Sequence, residues 1–395
     1  MTDLDDVVDE SGEDETDLVA RDDDEAATTT VDWTVETVVS QMRKGRIDLT
    51  PSFQRRDAWT RVAKSRYIES LIQRYPVPQI VLAEDPLRPG RYLVIDGKQR
   101  LLSIRQFCAD ADDSRDASWM DDKLRLTGLT EAKKLNGSTY EKLDSDFPAE
   151  SMRLENATIR AVLLRKWHSN DFLYTVFYRL NSGSLKLSPQ ELRQALYPGP
   201  FMDYVDKASG ESQPLQWLLN KTRPDRRMVD AELMLRFIAF QVGAKKYEGN
   251  LKNFLDGTAE SMTKRWDSEA KQSAVAAGNA MNEAISAARS VFERDACRKF
   301  VGTRFERSLN RALFDVQIHY FADPALREWQ LQNKPETVSA FQELCRSDAK
   351  FIEAVTSTTK TVAAVVKRYT AWGDALSQVS GVDHQLPAAI ATPGR

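Results

Sequence analysis

An apolar run that ends on Asp96-Gly97 and passes at once into a helical pattern constrains the fold of this chain more than any other feature. The residues from Arg91 to Ile95 are largely β-branched or aromatic, which predicts a strand. Gly97 permits a backbone conformation that other residues resist, so the chain can turn within one residue. From Lys98 onward Leu101, Ile104 and Cys108 fall on one face, which predicts a helix to Phe107. A second strand, Gln79 to Ala83, precedes the first across a loop at Pro86 to Gly90, as in a hairpin. A strand that delivers a helix start offers unpaired backbone N–H groups and a partial positive charge, which suit a phosphate. Arg100 in the first turn could grip phosphate oxygens in bidentate fashion. Gln99 could position a water or a phosphate oxygen, and Asp96 could cap the helix, hold Mg²⁺ or orient Arg100. The segment alone does not separate this from a plain strand-to-helix corner with a capping aspartate.

The surrounding pattern is mixed. Val35, Val38, Val39 and Met42 predict a helix ending near Gly45, and Ile47 to Phe53 reads as extended. Val62 to Arg74 predicts a second helix with Tyr67, Ile68, Leu71 and Ile72 on its apolar face, stopped by Pro76 and Pro78. Lys123 to Thr127 and Ala157 to Leu164 read as further strands, and Asp171 to Leu180 as a helix. Ser188-Pro189 with Glu191 is a helix start, Ser at the N-cap and Pro at the first helical position. Beyond Pro200 the pattern is helical throughout, with apolar stripes at Leu233, Phe237 and Phe240, at Ala274 to Val291 and at Phe351 to Tyr369. The expected fold class is α+β. An acidic disordered arm spans 1–30, an α/β phosphate-binding domain 31–200, an all-helical domain 201–382 and a flexible tail 383–395.

Charge is divided unevenly along the chain. Residues 1–30 hold thirteen Asp or Glu against one basic residue, Arg21, a net charge of −12. The other 365 residues carry 46 acids against 54 Lys and Arg, or +8. A basic body with an acidic arm suits a polyanionic partner such as DNA. The arm reads either as a solubilising tail or as a competitor of nucleic acid for the basic surface. No apolar run has the length of a membrane span. Three scattered cysteines, Cys108, Cys297 and Cys345, form no C-x-x-C pair, and the expected compartment is a reducing cytoplasm.

Two further blocks flank the turn. Pro51-Ser52-Phe53-Gln54-Arg55-Arg56-Asp57-Ala58-Trp59 precedes it, and Arg179-Leu180-Asn181-Ser182-Gly183, then Leu187-Ser188-Pro189-Gln190-Glu191-Leu192-Arg193, follow it. Together with Val94-Ile95-Asp96-Gly97-Lys98-Gln99-Arg100, and in this order over residues 33–200, they resemble the N-terminal domain family of GmrSD restriction endonucleases. The resemblance implies a fold similar to that of ParB and sulfiredoxin. It also implies nucleoside triphosphate hydrolysis, of GTP, ATP or CTP with Mg²⁺, coupled to sensing of modified or invading DNA. Carried across, Asp96, Gln99 and Arg100 would be catalytic, with Asp96 also the metal ligand. Gln54, Arg55, Gly97, Lys98, Arg179 and Asn181 would line the nucleotide site. Lys98 departs from the family, which has Gln there, and this puts turnover in question if that Gln orients the attacking water.

Many family members carry a second domain with an H-N-H nuclease site. Here Asp383-His384 only faintly resembles its opening, and the eleven residues after His384 are too few for the rest. The expectation is a stand-alone prokaryotic defence component that gates a separate effector such as a nuclease, with homo-oligomerisation left open. Two alternatives stand beside it: a ParB-like nucleotide-dependent DNA clamp that does not hydrolyse, and a weak metal-dependent nicking nuclease. Trp217, Trp266, Trp329 and Trp372 in the helical region read as core or interface. The basic clusters Arg223 to Arg227, and Arg294 to Lys299 with Arg304 and Arg307, read as DNA contacts or as solvated helix faces.

Overall fold

The computed structural model describes residues 7–8, 26–47, 49, 59–108, 123–167, 169–180, 188–225, 227–357 and 359–390. It divides into two compact units, one spanning residues 18–196 and one comprising residues 1–17 with 197–395. The architecture is α+β: a small sheet with helices in the first unit, and a helical second unit with short strands. The two-residue strand β1 (Val7–Val8) belongs to the second unit.

The first unit is built on a four-stranded sheet of β2 (Ala27–Thr34), β3 (Ile80–Glu84), β4 (Tyr92–Asp96) and β5 (Thr158–Arg165), in the order β2-β5-β3-β4. β2 and β4 run antiparallel to their neighbours, and β3 and β5 run parallel with Ile80 opposite Ala161. Successive side chains of a strand point to opposite faces. Ile80, Leu82, Tyr92, Val94, Ile159, Ala161 and Leu163 therefore enter one core, and Val81, Ala83, Ile95 and Leu164 the other. The central strand β3 is buried from Ile80 to Ala83, as expected of a strand covered on both faces. The first core is closed by α1 (Val35–Arg43), α2 (Arg61–Ile72) and α3 (Lys98–Phe107), then α4 (Tyr140–Asp146) and α5 (Pro148–Glu155). The second is closed by α6 (Asn170–Leu180) and α7 (Pro189–Leu196), through Leu173 and Leu192.

The caps follow the sequence. Thr34 accepts a hydrogen bond from the Thr37 N–H at the start of α1, and Thr60 one from the Ala63 N–H at the start of α2. At α7 Ser188 and Glu191 form a reciprocal capping box: the Glu191 N–H donates to Ser188 Oγ at 3.1 Å and the Ser188 N–H to Glu191 Oε2 at 2.7 Å.

Two expectations change in this unit. Residues 27–30, assigned to the acidic arm, lie in β2, whose mainly exposed threonines give no apolar alternation to read. Lys123 to Thr127 joins no sheet among the described residues. Leu124 and Leu126 are buried, yet their N–H groups donate to the carbonyls of Gln106 and Ser138 rather than to a ladder. A buried carboxylate of α2, Glu69, accepts from the N–H groups of Thr130, Glu131 and Ala132 and ties this segment down.

The second unit packs α8 (Pro200–Glu211), α9 (Gln213–Leu218), α10 (Val229–Val242), α11 (Leu251–Lys264) and α12 (Ser268–Phe292) with five more helices. These are α13 (Arg311–Ala322), α14 (Pro324–Gln332), α15 (Lys334–Ser347), α16 (Ala349–Thr356) and α17 (Val362–Ser380). The expected stripe from Phe351 to Tyr369 is thus two helices rather than one. Leu233, Phe237, Phe240, Ala274, Val291 and Trp372 all lie in one core. A hairpin of β6 (Phe300–Val301) and β7 (Arg304–Phe305) turns at Gly302, and β8 (Leu309–Asn310) pairs in parallel with β1. The expected flexible tail is docked from residue 383 to residue 390, because Ala389 and Ile390 are buried in the helical core. Ala389 also exchanges backbone hydrogen bonds with Phe240 and Tyr247. Residues 391–395 lie outside the described residues.

Candidate phosphate site at the start of helix α3

β4 hands over to α3 through Gly97 alone. Its φ of 99° lies in the left-handed region, and a Cβ there would stand 2.5 Å from Ile80 Cγ2. Both conditions require glycine. No described side chain caps α3, so the expectation that Asp96 caps the helix is not met. Asp96 instead accepts a hydrogen bond from an Arg100 guanidinium nitrogen at 2.5 Å, one helical turn away. The first N–H groups of α3 thus begin beside a fixed guanidinium, with no capping side chain among the described residues. Helix dipole and Arg100 add at this point to favour an anion.

The wall around Arg100 is only partly satisfied. Arg100 Nε is buried without an acceptor among the described residues. The Tyr67 hydroxyl, on α2, is likewise buried without a partner among them. Burial pushes the Tyr67 phenol above its ordinary range, and the Arg100 charge opposes part of that rise. Two buried polar atoms in one electrostatic neighbourhood, both able to donate, are what an enclosed oxyanion would satisfy. Gln99 is engaged locally, its Oε1 accepting from the Trp59 N–H at 3.1 Å. Trp59 in turn meets the Tyr67 ring edge-on at 5.9 Å between centroids.

Lys98 stands apart from this face. It is 4% exposed, and its ammonium lies 3.6 Å from Glu191 Oε1 of α7. The expected phosphate neighbour is therefore turned into the unit, where it ties the start of α3 to the capping box of α7. Asp96, Gly97, Gln99 and Arg100 share one corner. Arg179 is exposed near the end of α6, and no described interaction brings it to Asp96. Gln54, Arg55 and Asn181 lie outside the described residues. In the sequence Tyr67 reads only as part of the apolar face of α2. The signal was the phenol itself, since a buried tyrosine hydroxyl requires a partner. Glu191 reads from the sequence as a first-turn acid, and no local pattern announces that its Oε1 faces Lys98.

Residues 35–198 match the family model of the GmrSD restriction endonuclease, N-terminal domain. This segment carries a GmrSD N-terminal domain. No curated protein and no solved structure matches the chain. The matched segment runs from the start of α1 to just beyond α7, so it takes in the strand–turn–helix corner, the Lys98–Glu191 pair and both cores of the first unit. No helix among the described residues is long and apolar enough to cross a membrane.

Among the described residues no three His, Cys, Asp or Glu side chains lie close enough together to hold a metal ion. A self-sufficient metal centre is therefore not built from these residues. Asp96 is compatible with the other way of holding Mg²⁺, in which one carboxylate and the phosphates of a nucleotide share the ion with water.

Proposed function

We propose that the GmrSD N-terminal segment binds a nucleoside triphosphate at the start of α3 and that the protein serves a restriction-type defence function on DNA. The observation that carries the nucleotide half is the uncapped α3 N-terminus beside the Asp96–Arg100 pair, with Arg100 Nε and the Tyr67 hydroxyl buried and unsatisfied among the described residues. The defence role and the association with DNA rest on the family match, and so does a ParB-like reading of the fold. In this reading Arg100 and the α3 N–H groups hold phosphate oxygens, Tyr67 donates to one of them, and Asp96 keeps Arg100 aimed. When bound, Mg²⁺ would neutralise phosphate charge beside Asp96. Lys98 acts through Glu191 as a positioning residue. A separate effector would read the nucleotide state.

A non-hydrolysing clamp is the second reading, and one arrangement favours it. Gln99 is held by Trp59 and Lys98 is turned to Glu191, so neither stands free to orient an attacking water. A nicking nuclease centred on Asp96 would need further carboxylates beside it, and the described residues supply no such group.

Calorimetric titration with GTP, ATP and CTP in the presence of Mg²⁺, paired with phosphate-release assays, tests both readings. Binding is expected for at least one nucleotide, with a loss of about tenfold or more for Arg100→Ala, as for the removal of a charge-assisted hydrogen bond. Phosphate release with and without duplex DNA separates turnover from clamping. Absence of binding to all three nucleotides would remove the nucleotide reading altogether.

A further inference from the structure

The loop between β3 and β4 is built to hold a leucine out into solvent. Pro86, Leu87, Arg88 and Pro89 form its tip, and Leu87 is 90% exposed. A lone exposed leucine is ordinary on a protein surface. The scaffold beneath this one is not. The Asp85 N–H donates to the Arg91 carbonyl and the Arg91 N–H to the Arg88 carbonyl, which closes the loop at its neck. The Asp85 carboxylate fills the inside: Oδ1 accepts from the Leu87 N–H at 2.9 Å and Oδ2 from Arg88 Nε at 2.7 Å. Glu84 Oε1 accepts from the Gly90 N–H at 2.9 Å, and Gly90 takes a φ of 80°. Pro86 and Pro89 fix their own φ angles. The loop thus has one shape before a partner arrives, which lowers the ordering cost of association.

Cations stand around this tip. β4 lies at the end of the sheet away from β2, and the chain leaving α1 runs beside its start. There the Tyr92 N–H donates to the Arg46 carbonyl at 2.7 Å, and Ile47 bridges to Tyr92. Lys44, Arg46, Arg88 and Arg91 are exposed. The two acids of the loop are engaged in holding it, Glu84 Oε2 also meeting Arg165 at 3.3 Å. Arg46 and Arg91 enter the fold through backbone groups alone among the described residues. An apolar side chain held out among basic ones can part a base step of duplex DNA while the cations hold phosphates on either side. Duplex DNA offers both partners at once, phosphate charge for the arginines and an apolar base step for the leucine.

We infer that the Leu87 loop, with Lys44, Arg46, Arg88 and Arg91 around it, is a contact for duplex DNA in which the cations hold phosphates and Leu87 wedges into a base step. The inference rests on the DNA half of the proposed function and not on the nucleotide half.

The test uses the full chain and a duplex of about 20 base pairs, without nucleotide, followed by fluorescence anisotropy at several KCl concentrations. Energy transfer between dyes at the two duplex ends reports bending. Arg46→Ala with Arg91→Ala is expected to weaken binding and to flatten the slope of log K against log salt by about 1.8, about 0.9 for each phosphate left unneutralised. Leu87→Ala is expected to weaken binding about tenfold and to reduce the bend, with the salt slope unchanged, because it removes apolar contact and no charge. A duplex bound by the parent and bound alike by either variant, in affinity, slope and bend, would overturn the inference and leave this surface to a protein partner. If the parent binds no duplex at all, the DNA half of the proposed function falls, and this inference with it. Nucleotide titration of both variants is expected to match the parent, so failure here and failure of the nucleotide reading are told apart.

Discussion

At the scale of single residues, the corner between β4 and α3 makes demands that can be checked one at a time. Gly97→Ala places a methyl 2.5 Å from Ile80 Cγ2 on a backbone that disfavours it, and a destabilisation of about 1–3 kcal/mol is expected. A urea melt followed by circular dichroism measures it. Glu191→Ala removes at once the acceptor facing Lys98 and half of the α7 capping box, and a larger loss, about 3–5 kcal/mol, is expected for a buried ion pair broken from one side. Lys98→Gln keeps a hydrogen-bond donor toward Glu191 and should stay within about 1.5 kcal/mol of the parent. Tyr67→Phe makes the opposite case. It removes a buried hydroxyl that has no partner among the described residues, so stability should hold or rise while nucleotide affinity falls. If affinity is unmoved in Tyr67→Phe, the hydroxyl has no part in the site.

At the scale of elements, Glu69 does for residues 123–137 what a strand partner does elsewhere. Its carboxylate takes the N–H groups of Thr130, Glu131 and Ala132. Glu69→Ala leaves those donors unsatisfied, and a loss of about 1–3 kcal/mol with faster proteolysis in this segment is the expected result. The same contrast explains what was readable beforehand. β3, β4, β5, α1, α2, α3, α6 and α7 each announce themselves through a run, a stripe or a cap, and their positions agree with the pattern to within a residue or two. Asp96, Gly97 and Arg100 meet as the spacing suggests, because a turn and an i,i+4 pair are local. What could not be read was non-local: Lys98 reaching Glu191 of a distant helix, Tyr67 entering the field of Arg100 from another, and the threonine-rich β2 finding β5. Leu124 and Leu126 alternate as a strand would, but alternation records burial and does not name a partner.

At the scale of the whole molecule, the second unit carries a pH response independent of the phosphate site. His319 of α13 is held between Gln241 and the carbonyl of Gln385 in the docked carboxy-terminal segment. A carbonyl only accepts, so Nε2 bears the hydrogen and Nδ1 accepts from the Gln241 amide. Burial pulls the imidazole from 6.5 down to about 4. The unfolded chain therefore takes up a proton near pH 6.5 that the folded unit refuses until about pH 4. The sign follows: stability is full above about pH 6.5 and falls by up to about 1.4 kcal/mol per pH unit below it. A series of thermal melts from about pH 7 to about pH 4.5 should show this decline, and His319→Gln should flatten it. A decline equally steep in His319→Gln would assign it to other groups.

The pairing of Val7 with Leu309 also orders events in time. Chains are made from the amino terminus, and domains fold as they emerge at about 5–20 residues per second. The partner of the seventh residue is thus made at least about 15 seconds after it, once the whole first unit has been synthesised. Any product that ends before β8 has the strand–turn–helix corner but no partner for Val7 and Val8. Pairing of β1 with β8 therefore reports that synthesis has passed the β6–β7 hairpin, so the second unit can close its first and last-made strands only late.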